Sequence, residues 1–192
     1  MNFRDLLQTE FSPYGNLSPA QLDALEQHYQ LLLRWNKRLN LTRITDLVES
    51  VRFHYCESLY LGKFLPLGPL KVADLGSGAG FPGFPLAVFR PYLQVTLIES
   101  DARKAVFLRE ATRHLKNVEV AAIRFEDCRQ IFDWAVSRAV DPNSVFESGL
   151  APNFAILASL DAAPPNSDAI RLPWGRNRAL IIVPRGTSVS DS

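Results

Sequence analysis

The segment Val72-Ala-Asp-Leu-Gly-Ser-Gly-Ala-Gly-Phe-Pro-Gly-Phe-Pro85 decides the fold expected for this chain of 192 residues. Its apolar start predicts a short β-strand that runs directly into Gly76, Gly78 and Gly80. A strand that enters a glycine loop allows a ligand to lie against bare backbone, because a Cβ atom at those positions would block its approach. The segment therefore predicts a ligand-binding loop at the end of a strand.

Two carboxylates indicate which ligand the loop would hold. Asp74 lies at the strand end, where a carboxylate disfavours the pyrophosphate of a dinucleotide but tolerates cationic and hydroxyl groups. Glu99 directly follows a second apolar run, 94–98, about 20 residues after the glycines, where dinucleotide-type folds place an acid against ribose hydroxyls. S-adenosylmethionine (SAM) carries a sulfonium, an ammonium and a ribose diol without phosphate, so the pattern favours SAM.

Strands and helices alternate after the loop. Apolar runs predict strands at 118–123, 134–137, 154–158 and 179–183, a weaker strand at 169–172, and helices at 85–89 and 101–116. Such alternation implies a mostly parallel sheet with helices on both faces, whose ligands lie beyond the carboxyl ends of the strands. Because Asp74, Glu99, the pair Phe125-Glu126 and Arg138 fall at or just after strand ends, we expect them to converge on one site.

The chain before the glycine loop is expected to be helical. A capping-box start at Ser18 and the apolar spacing after it predict one helix to Asn40, and a second helix is predicted at 47–64. No linker or repeat divides the chain. We therefore expect one domain, in which residues 1–68 form a helical cap on a SAM-binding core of residues 69–192.

Composition excludes several classes of protein. A hydrophobic content of 47% suffices for a buried core, and no apolar run approaches the roughly 18–20 residues that cross a bilayer. We therefore expect no contact with membranes, and the two isolated cysteines suit a reducing cytoplasm. A monomer is also expected. The cysteines and histidines are too scattered to predict a metal site. The net charge of +1 creates no global basic field, so any RNA site must come from a local patch.

Four segments, taken in order, resemble one family. They are Trp35-Asn-Lys-Arg-Leu-Asn-Leu-Thr42, His54 with Ser58, the glycine segment 74–86, and Ser137-Arg-Ala139. Together they are similar to the RsmG (GidB) family of small-subunit ribosomal RNA guanine-N7 methyltransferases, over roughly residues 20 to 160. The resemblance implies a Rossmann-like, seven-stranded class I methyltransferase fold, SAM as the methyl donor and guanine N7 of the small-subunit (16S) RNA as the acceptor.

The resemblance also implies which residues form the site. The residues that it places around SAM are Asp74, Gly76, Ser77, Gly78, Gly80, Phe81, Glu99, Ser100, Phe125, Glu126 and Arg138. Glu99 is expected to take the ribose, while Phe125 and Glu126 flank the adenine. Arg138 is expected to touch both the cofactor and the guanine, because a guanidinium can stack on a base or donate to its acceptors. Asn40 and His54 are expected to join Arg138 on the acceptor side.

Guanine N7 carries an exposed lone pair, so its methylation requires positioning and no general base. For the RNA itself, Arg38, Thr42 and Arg43 lie in a locally basic stretch that could meet phosphates. Arg103 and Lys104 occupy the first turn of a helix, where the helix dipole disfavours cations. Two kinds of partner could compensate these cations. One is an anionic group of the cofactor or of RNA, and the other is the neighbouring acids Glu99 and Asp101. Trp35 is expected to pack in the core.

The chain departs from the family pattern near its C-terminus. Leu157-Ala-Ser-Leu160 replaces the usual lysine and glycine after the fifth strand, and the proline-containing segment 161–177 is short, which predicts an abbreviated C-terminal region. Two other functions therefore stay open, a methyltransferase of small molecules and a SAM-binding protein without acceptor activity. A nicotinamide dehydrogenase is the least favoured alternative, because the glycine pattern fits one but no catalytic Tyr-Lys or His-Arg pair stands out.

Overall fold

A single sheet organises the computed structural model, which describes residues 1–164 and 167–184. Its strands are β1 (Leu70–Leu75), β2 (Leu93–Ile98), β3 (Val118–Ala121), β4 (Trp134–Arg138), β5 (Phe154–Ala158), β6 (Asp168–Arg171) and β7 (Ala179–Val183). They are arranged in the order β3-β2-β1-β4-β5-β7-β6, and only β7 runs antiparallel to its neighbours. The prediction of a mostly parallel, seven-stranded sheet is confirmed.

The strand order reverses at β1, which lies inside the sheet between β2 and β4. Asp74 is paired with Leu97 of β2 on one side and with Val136 of β4 on the other. In open sheets of this kind, the crevice for a ligand opens outside the carboxyl ends of the strands at the reversal point. The fold thus brings the residues after β1, β2 and β4 to one edge.

Helices cover the sheet and form the cap. They are α1 (Phe3–Phe11), α2 (Pro19–Leu39), α3 (Leu47–Glu49), α4 (Glu57–Leu61), α5 (Gly83–Phe89), α6 (Ala102–Thr112) and α7 (Pro142–Glu147). The predicted capping box is present, because Gln21 N donates to Ser18 Oγ while Gln21 Oε1 accepts from Ser18 N. Neither α1 nor α7 was separately predicted, and α6 ends four residues earlier than the predicted Lys116.

The second predicted helix changes type along its length. Between α3 and α4, Ser50–Cys56 is π-helical, a segment designated π1. A π-helical turn is uncommon and occurs often at functional sites. Here it carries His54, which was one of the residues expected at the acceptor side.

The cap packs on one face of the sheet. Leu25 and Tyr55 of the cap share a buried cluster with Phe84 and Leu97 of the core. A separate cluster, which includes Leu75, lies on the opposite face. Burial at about 25 cal/mol per Å² of apolar surface makes this packing the main source of stability. A cap held through shared core residues can supply one wall of a site at the sheet edge.

The segment between β5 and β6 is short. A single 3₁₀ turn, Leu160–Ala162, is the only helical element in the described residues between β5 and β6. Pro165, within the short proline-containing segment, lies outside the described residues. The described chain contains no helix that combines the length and the hydropathy needed to span a bilayer.

Candidate active site

The glycine loop joins the ends of β1 and β2. Gly76 N and Ser77 N both donate to Ile98 O, at 3.0 and 3.1 Å. Gly76 has φ +69°, a left-handed conformation that favours glycine, and a Cβ at this position would lie 2.7 Å from Val140 Cγ2. The loop is therefore held against both neighbouring strand ends with its backbone facing the crevice.

Asp74 lies beneath this loop and not on its open side. The carboxyl is fully buried, and Oδ2 accepts a hydrogen bond from Gly83 N at 3.0 Å. Burial raises the pKa of Asp74 to about 7, against the opposing effect of that hydrogen bond. Oδ1 has no hydrogen-bond partner within the part of the chain that the structure describes. Asp74 therefore ties β1 to α5 from beneath the loop, and its contact with a ligand stays a prediction.

Gly80 also has a different place from the one expected. A Cβ at Gly80 would lie 3.3 Å from His28 Nε2 and 3.4 Å from Leu108 Cδ2. This glycine therefore faces the interior, where the lack of a side chain allows the cap to approach the loop, and it does not face the ligand crevice.

Glu99 fixes the open side of the loop. Its Oε2 accepts a hydrogen bond from Gly78 N and its Oε1 accepts one from Asp101 N, both at 2.8 Å. Glu99 is nevertheless 7% exposed and lines the cleft. Because a carboxylate has about four acceptor positions, two remain for hydroxyl groups of a ligand.

His54 connects the cap to the end of β4. An Arg138 guanidinium N–H donates to His54 Nδ1, and an arginine cannot accept a hydrogen bond. His54 must therefore carry its proton on Nε2, which donates to Thr42 Oγ1 at 2.8 Å. Burial, with the Arg138 charge as a smaller cause, lowers the pKa of His54 to about 2. The ring also stacks on Phe81 of the glycine loop, with a centroid distance of 4.5 Å.

Asn36 shapes the segment that holds Thr42. Its Nδ2 donates to Thr42 O at 3.0 Å and its Oδ1 accepts from Thr42 N at 2.9 Å. Between them, Asn40 ends α2 in the left-handed conformation, with φ +47°. Asn36 belongs to the segment Trp35–Thr42, but the sequence alone indicated no role for it. Its two hydrogen bonds to the Thr42 backbone close a short loop, and this distinguishes Asn36 from a solvated residue on a helix.

His28 anchors α2 to the back of the glycine loop. Its Nε2 donates to Ala79 O at 3.0 Å, since a carbonyl can only accept, and its Nδ1 accepts from Tyr55 Oη at 2.8 Å. Burial lowers the pKa of His28 to about 3. Sequence reasoning assigned His28 no role, because its partners come from distant parts of the chain.

A buried ion pair lies behind Arg138. Glu57, which is fully buried, accepts two hydrogen bonds from Arg178, at 3.0 and 2.7 Å. Burial lowers the pKa of Arg138 to about 10, the Glu57 charge opposes this shift and the Arg178 charge adds to it. Arg138 therefore stays cationic at neutral pH, held between His54 and this pair. Neither Glu57 nor Arg178 was identified from the sequence.

These elements enclose a cleft of about 560 Å³. Of the residues expected in the site, those that line it are Asn40, Thr42, Arg43, His54, Gly76, Ser77, Gly78, Phe81, Glu99, Lys104 and Arg138. Seven other expected residues lie outside the lining that the described part of the chain forms: Asp74, Gly80, Ser100, Phe125, Glu126, Arg38 and Arg103. Phe125 and Glu126 form a 3₁₀ turn after β3, at the same edge of the sheet. The predicted convergence of strand ends is thus found for β1, β2 and β4.

Arg103 and Lys104 have different surroundings despite being neighbours. Asp101 caps α6 by accepting from both of their backbone N–H groups, and its carboxylate lies 3.4 Å from the Arg103 guanidinium. Lys104 lines the cleft and has no ion pair in the described part of the chain. The local acid therefore accounts for Arg103, while Lys104 is available to an anion in the cleft.

The free energy of unfolding is expected to fall as the pH drops from about 6.5 to 4. Unfolded histidines bind protons near pH 6.5, whereas His28 and His54 stay neutral in the folded protein, with pKa values of about 3 and about 2. Asp74, with a pKa of about 7, binds a proton when folded and opposes one of the two. The remaining proton predicts a loss of about 1.4 kcal/mol per pH unit.

Urea denaturation at a series of pH values measures this slope. Asp74→Asn removes the opposing proton, so the slope should roughly double in that variant. A free energy that does not change between pH 6.5 and 4 in both proteins would contradict the neutral, buried state of the two histidines.

A family model matches the chain over residues 21–152, and its description is rRNA small subunit methyltransferase G. The chain belongs to this family. As a family member it is a SAM-dependent methyltransferase, which settles the choice against the dehydrogenase. The matched range contains the glycine loop, Glu99, His54 and Arg138, so the cleft lies wholly within the part shared with the family.

Curated relatives carry the same family name. A ribosomal RNA small subunit methyltransferase G from Xanthomonas euvesicatoria is 40% identical over 168 residues, which cover 83% of this chain and 78% of that protein. One from Xanthomonas campestris is 42% identical over 174 residues, with 84% and 81% covered. The similarity thus extends over most of both proteins in each case.

Solved structures show the same fold at low sequence identity. The 23S rRNA methyltransferase ErmE has a TM-score of 0.55 and 18% identity, with 68% of each chain covered. A SAM-dependent methyltransferase from Aquifex aeolicus has a TM-score of 0.53 and 18% identity, with 70% of this chain and 91% of that chain covered. The Rossmann-like class I methyltransferase fold expected from the sequence is confirmed.

Proposed function

We propose that this enzyme transfers a methyl group from SAM to N7 of a guanine in small-subunit (16S) ribosomal RNA. The observation that supports this most directly is the meeting of the glycine loop, Glu99 and the Arg138–His54–Thr42 chain in one cleft. One side of that cleft suits the cofactor, and the other presents a cation to an acceptor. Membership of the family supplies the choice of ribosomal RNA.

The residues on the cofactor side fit SAM. The exposed backbone of Gly76 and Gly78 leaves room for the amino acid part, and Glu99 has acceptor positions free for the ribose hydroxyls. Phe125 and Glu126, just after β3, are the candidates to flank the adenine. SAM supplies an activated methyl group on a sulfonium, so the protein has only to bind and orient the two reactants.

The acceptor side is built for positioning. His54 is neutral, and its one acceptor nitrogen is already occupied by Arg138, so His54 is not free to remove a proton. This suits guanine N7, because its lone pair is free and no proton has to be removed before methyl transfer. We propose that Arg138 donates to O6 or stacks on the guanine, while Asn40 at the end of α2 borders the base.

Contacts with the remaining RNA would come from basic residues around the cleft. Arg43 and Lys104 line it, and Arg38 is exposed on α2 close to its entrance. Such contacts position an RNA chain without reading its sequence. We also propose that the enzyme acts as a monomer, in the cytoplasm where ribosomal subunits occur.

Methyl transfer from labelled SAM to small ribosomal subunits that lack the modification tests the proposal, with the product nucleoside identified. The expected product is 7-methylguanosine at a single site. A different methylated nucleoside would reject the N7 assignment. Binding of SAM without transfer to subunits or to naked RNA would favour the alternative of a small-molecule acceptor.

Glu99→Gln is expected to weaken SAM binding about 10- to 100-fold. Both carboxylate oxygens accept backbone N–H groups, and an amide would turn a donor towards one of them. The loop would then lose one of its supports as well as a charged acceptor for the ribose. Isothermal titration calorimetry with SAM measures the change.

Glu119→Gln is the matched control, because Glu119 is an exposed glutamate on β3 that does not line the cleft. It should bind SAM like the parent protein. Equal affinity in the Glu99 variant would remove Glu99 from the cofactor site.

A further inference from the structure

A second groove lies beside the cleft, between α2 and α6. Its volume is about 490 Å³, and its apolar lining comes from Leu31, Trp35 and Leu39. These residues are four positions apart, so they form one line along the surface of α2. Trp35 touches the core through Phe107, with a ring-centroid distance of 5.8 Å, but it stays half-buried. Core packing was predicted for Trp35, and it accounts for only part of the ring.

The groove carries an excess of positive charge. Arg34, Lys37 and Arg38 line it and are exposed, with Glu110 as the acid on the α6 side. None of the three cations has an ion pair within residues 1–164 and 167–184. A groove that combines unpaired cations with a half-exposed aromatic ring matches a polyanion whose units carry flat, apolar faces.

Neighbouring residues on the same two segments line the groove and the cleft. Leu39 lines the groove and the next residue, Asn40, lines the cleft. On the facing helix, Lys104 lines the cleft and Glu110 lines the groove. At 1.5 Å per residue these two are about 9 Å apart along α6, which corresponds to two or three stacked nucleotides at about 3.4 Å each. One strand could therefore pass from the cleft into the groove.

We propose that this groove is a second RNA subsite, in which a base that flanks the target guanine stacks on Trp35 while Arg34 and Arg38 hold the adjoining phosphates. This rests on the proposed function. Aromatic stacking tolerates any base, and arginine contacts to phosphate carry no sequence information. The subsite would therefore contribute affinity and direction to the strand, and the choice of nucleotide would be made in the cleft.

Binding of a fluorescein-labelled single-stranded oligoadenylate, measured by anisotropy over a range of salt concentrations, tests the subsite. Trp35→Leu should weaken binding about 10-fold. The double variant Arg34→Gln/Arg38→Gln should lower the slope of log K against log salt by about 1.4, because two phosphate contacts are lost. Tyr92→Leu and Arg109→Gln are the controls, because they replace exposed residues that line neither the groove nor the cleft. Both variants should bind oligoadenylate like the parent protein.

Trp35→Phe separates stacking from packing. It retains a ring, so its affinity should lie between those of the parent protein and the leucine variant. SAM affinity should stay near the parent value in both variants, and only the leucine variant, which loses the contact with Phe107, should have a lower melting temperature. Parent-like binding of oligoadenylate by the leucine and double-arginine variants would overturn the proposal. Polyglutamate binding is measured on the same variants. If they lost affinity for polyglutamate but kept it for RNA, the proposal would also be overturned, since the groove would then be a site for acidic peptides.

The two proposals fail in different ways. If the parent protein bound oligoadenylate through Trp35 but did not methylate ribosomal subunits, the proposed function would be rejected and the groove would remain an RNA site. If it methylated subunits and the Trp35 variants had an unchanged KM for them, the groove would be rejected and the proposed function would remain.

Discussion

Arg138→Gln is expected to lower the rate of methyl transfer to small ribosomal subunits about 100-fold or more, with a much smaller loss of SAM affinity from its contact with the cofactor. Arg138 is the cationic side chain at the end of β4, where a hydrogen bond to His54 holds its guanidinium at the wall of the cleft. The neutral amide removes the charge and the planar fork together. An effect on kcat much larger than that on SAM affinity would place Arg138 at the acceptor.

Two further variants sharpen this result. Arg138→Lys keeps the charge but loses the fork, so it should recover only a small part of the rate if orientation is what Arg138 supplies. Arg129→Gln removes an exposed arginine outside the cleft lining and is the matched control. A parent-like rate in the Arg138→Gln variant would withdraw the residue from the reaction.

Arg178→Met is expected to lower the free energy of unfolding by about 3–5 kcal/mol. Its partner Glu57 is fully buried, and both carboxylate oxygens accept hydrogen bonds from the guanidinium. Without Arg178 a buried carboxylate would lose its counter-charge and two donors. Chemical denaturation, followed by circular dichroism, measures the loss.

The double variant Glu57→Leu/Arg178→Met should recover most of that stability, because replacing both members of a buried pair by apolar residues is often neutral. Arg176→Met, an exposed change in the same turn, should have almost no effect. If the single and double variants were equally unstable, the cost would come from packing around the pair and not from the unpaired charge.

The strands and the cofactor side of the site could be predicted because their signals are local. A buried parallel strand is a short apolar run, and the glycine loop is contiguous, so β1, β2 and Glu99 follow from the sequence alone. The π-helical turn could not be predicted in this way. Its residues have the same apolar spacing as an ordinary helix, so no local signal in the sequence marks the change of type.

The contacts that hold the acceptor side in place are long-range, and for that reason they were missed. His28 meets Ala79 across 51 positions, and Glu57 meets Arg178 across 121. No local pattern marks either pair, and a buried glutamate at the start of a short helix resembles a solvated one. The position of Asp74 beneath the loop, and not in the lining of the cleft, likewise depends on a contact between β1 and α5, the hydrogen bond from Gly83.

The pairing of Glu57 with Arg178 has a consequence for biosynthesis. The glycine loop, Glu99 and Arg138 are all translated before the hairpin that carries Arg178, and β7 inserts beside β5 only when that hairpin is complete. Contacts between distant positions form late, since the intervening chain must first be ordered. The wall behind Arg138 is thus closed only after the β6–β7 hairpin has left the ribosome, and a nascent chain lacks a finished active site until then.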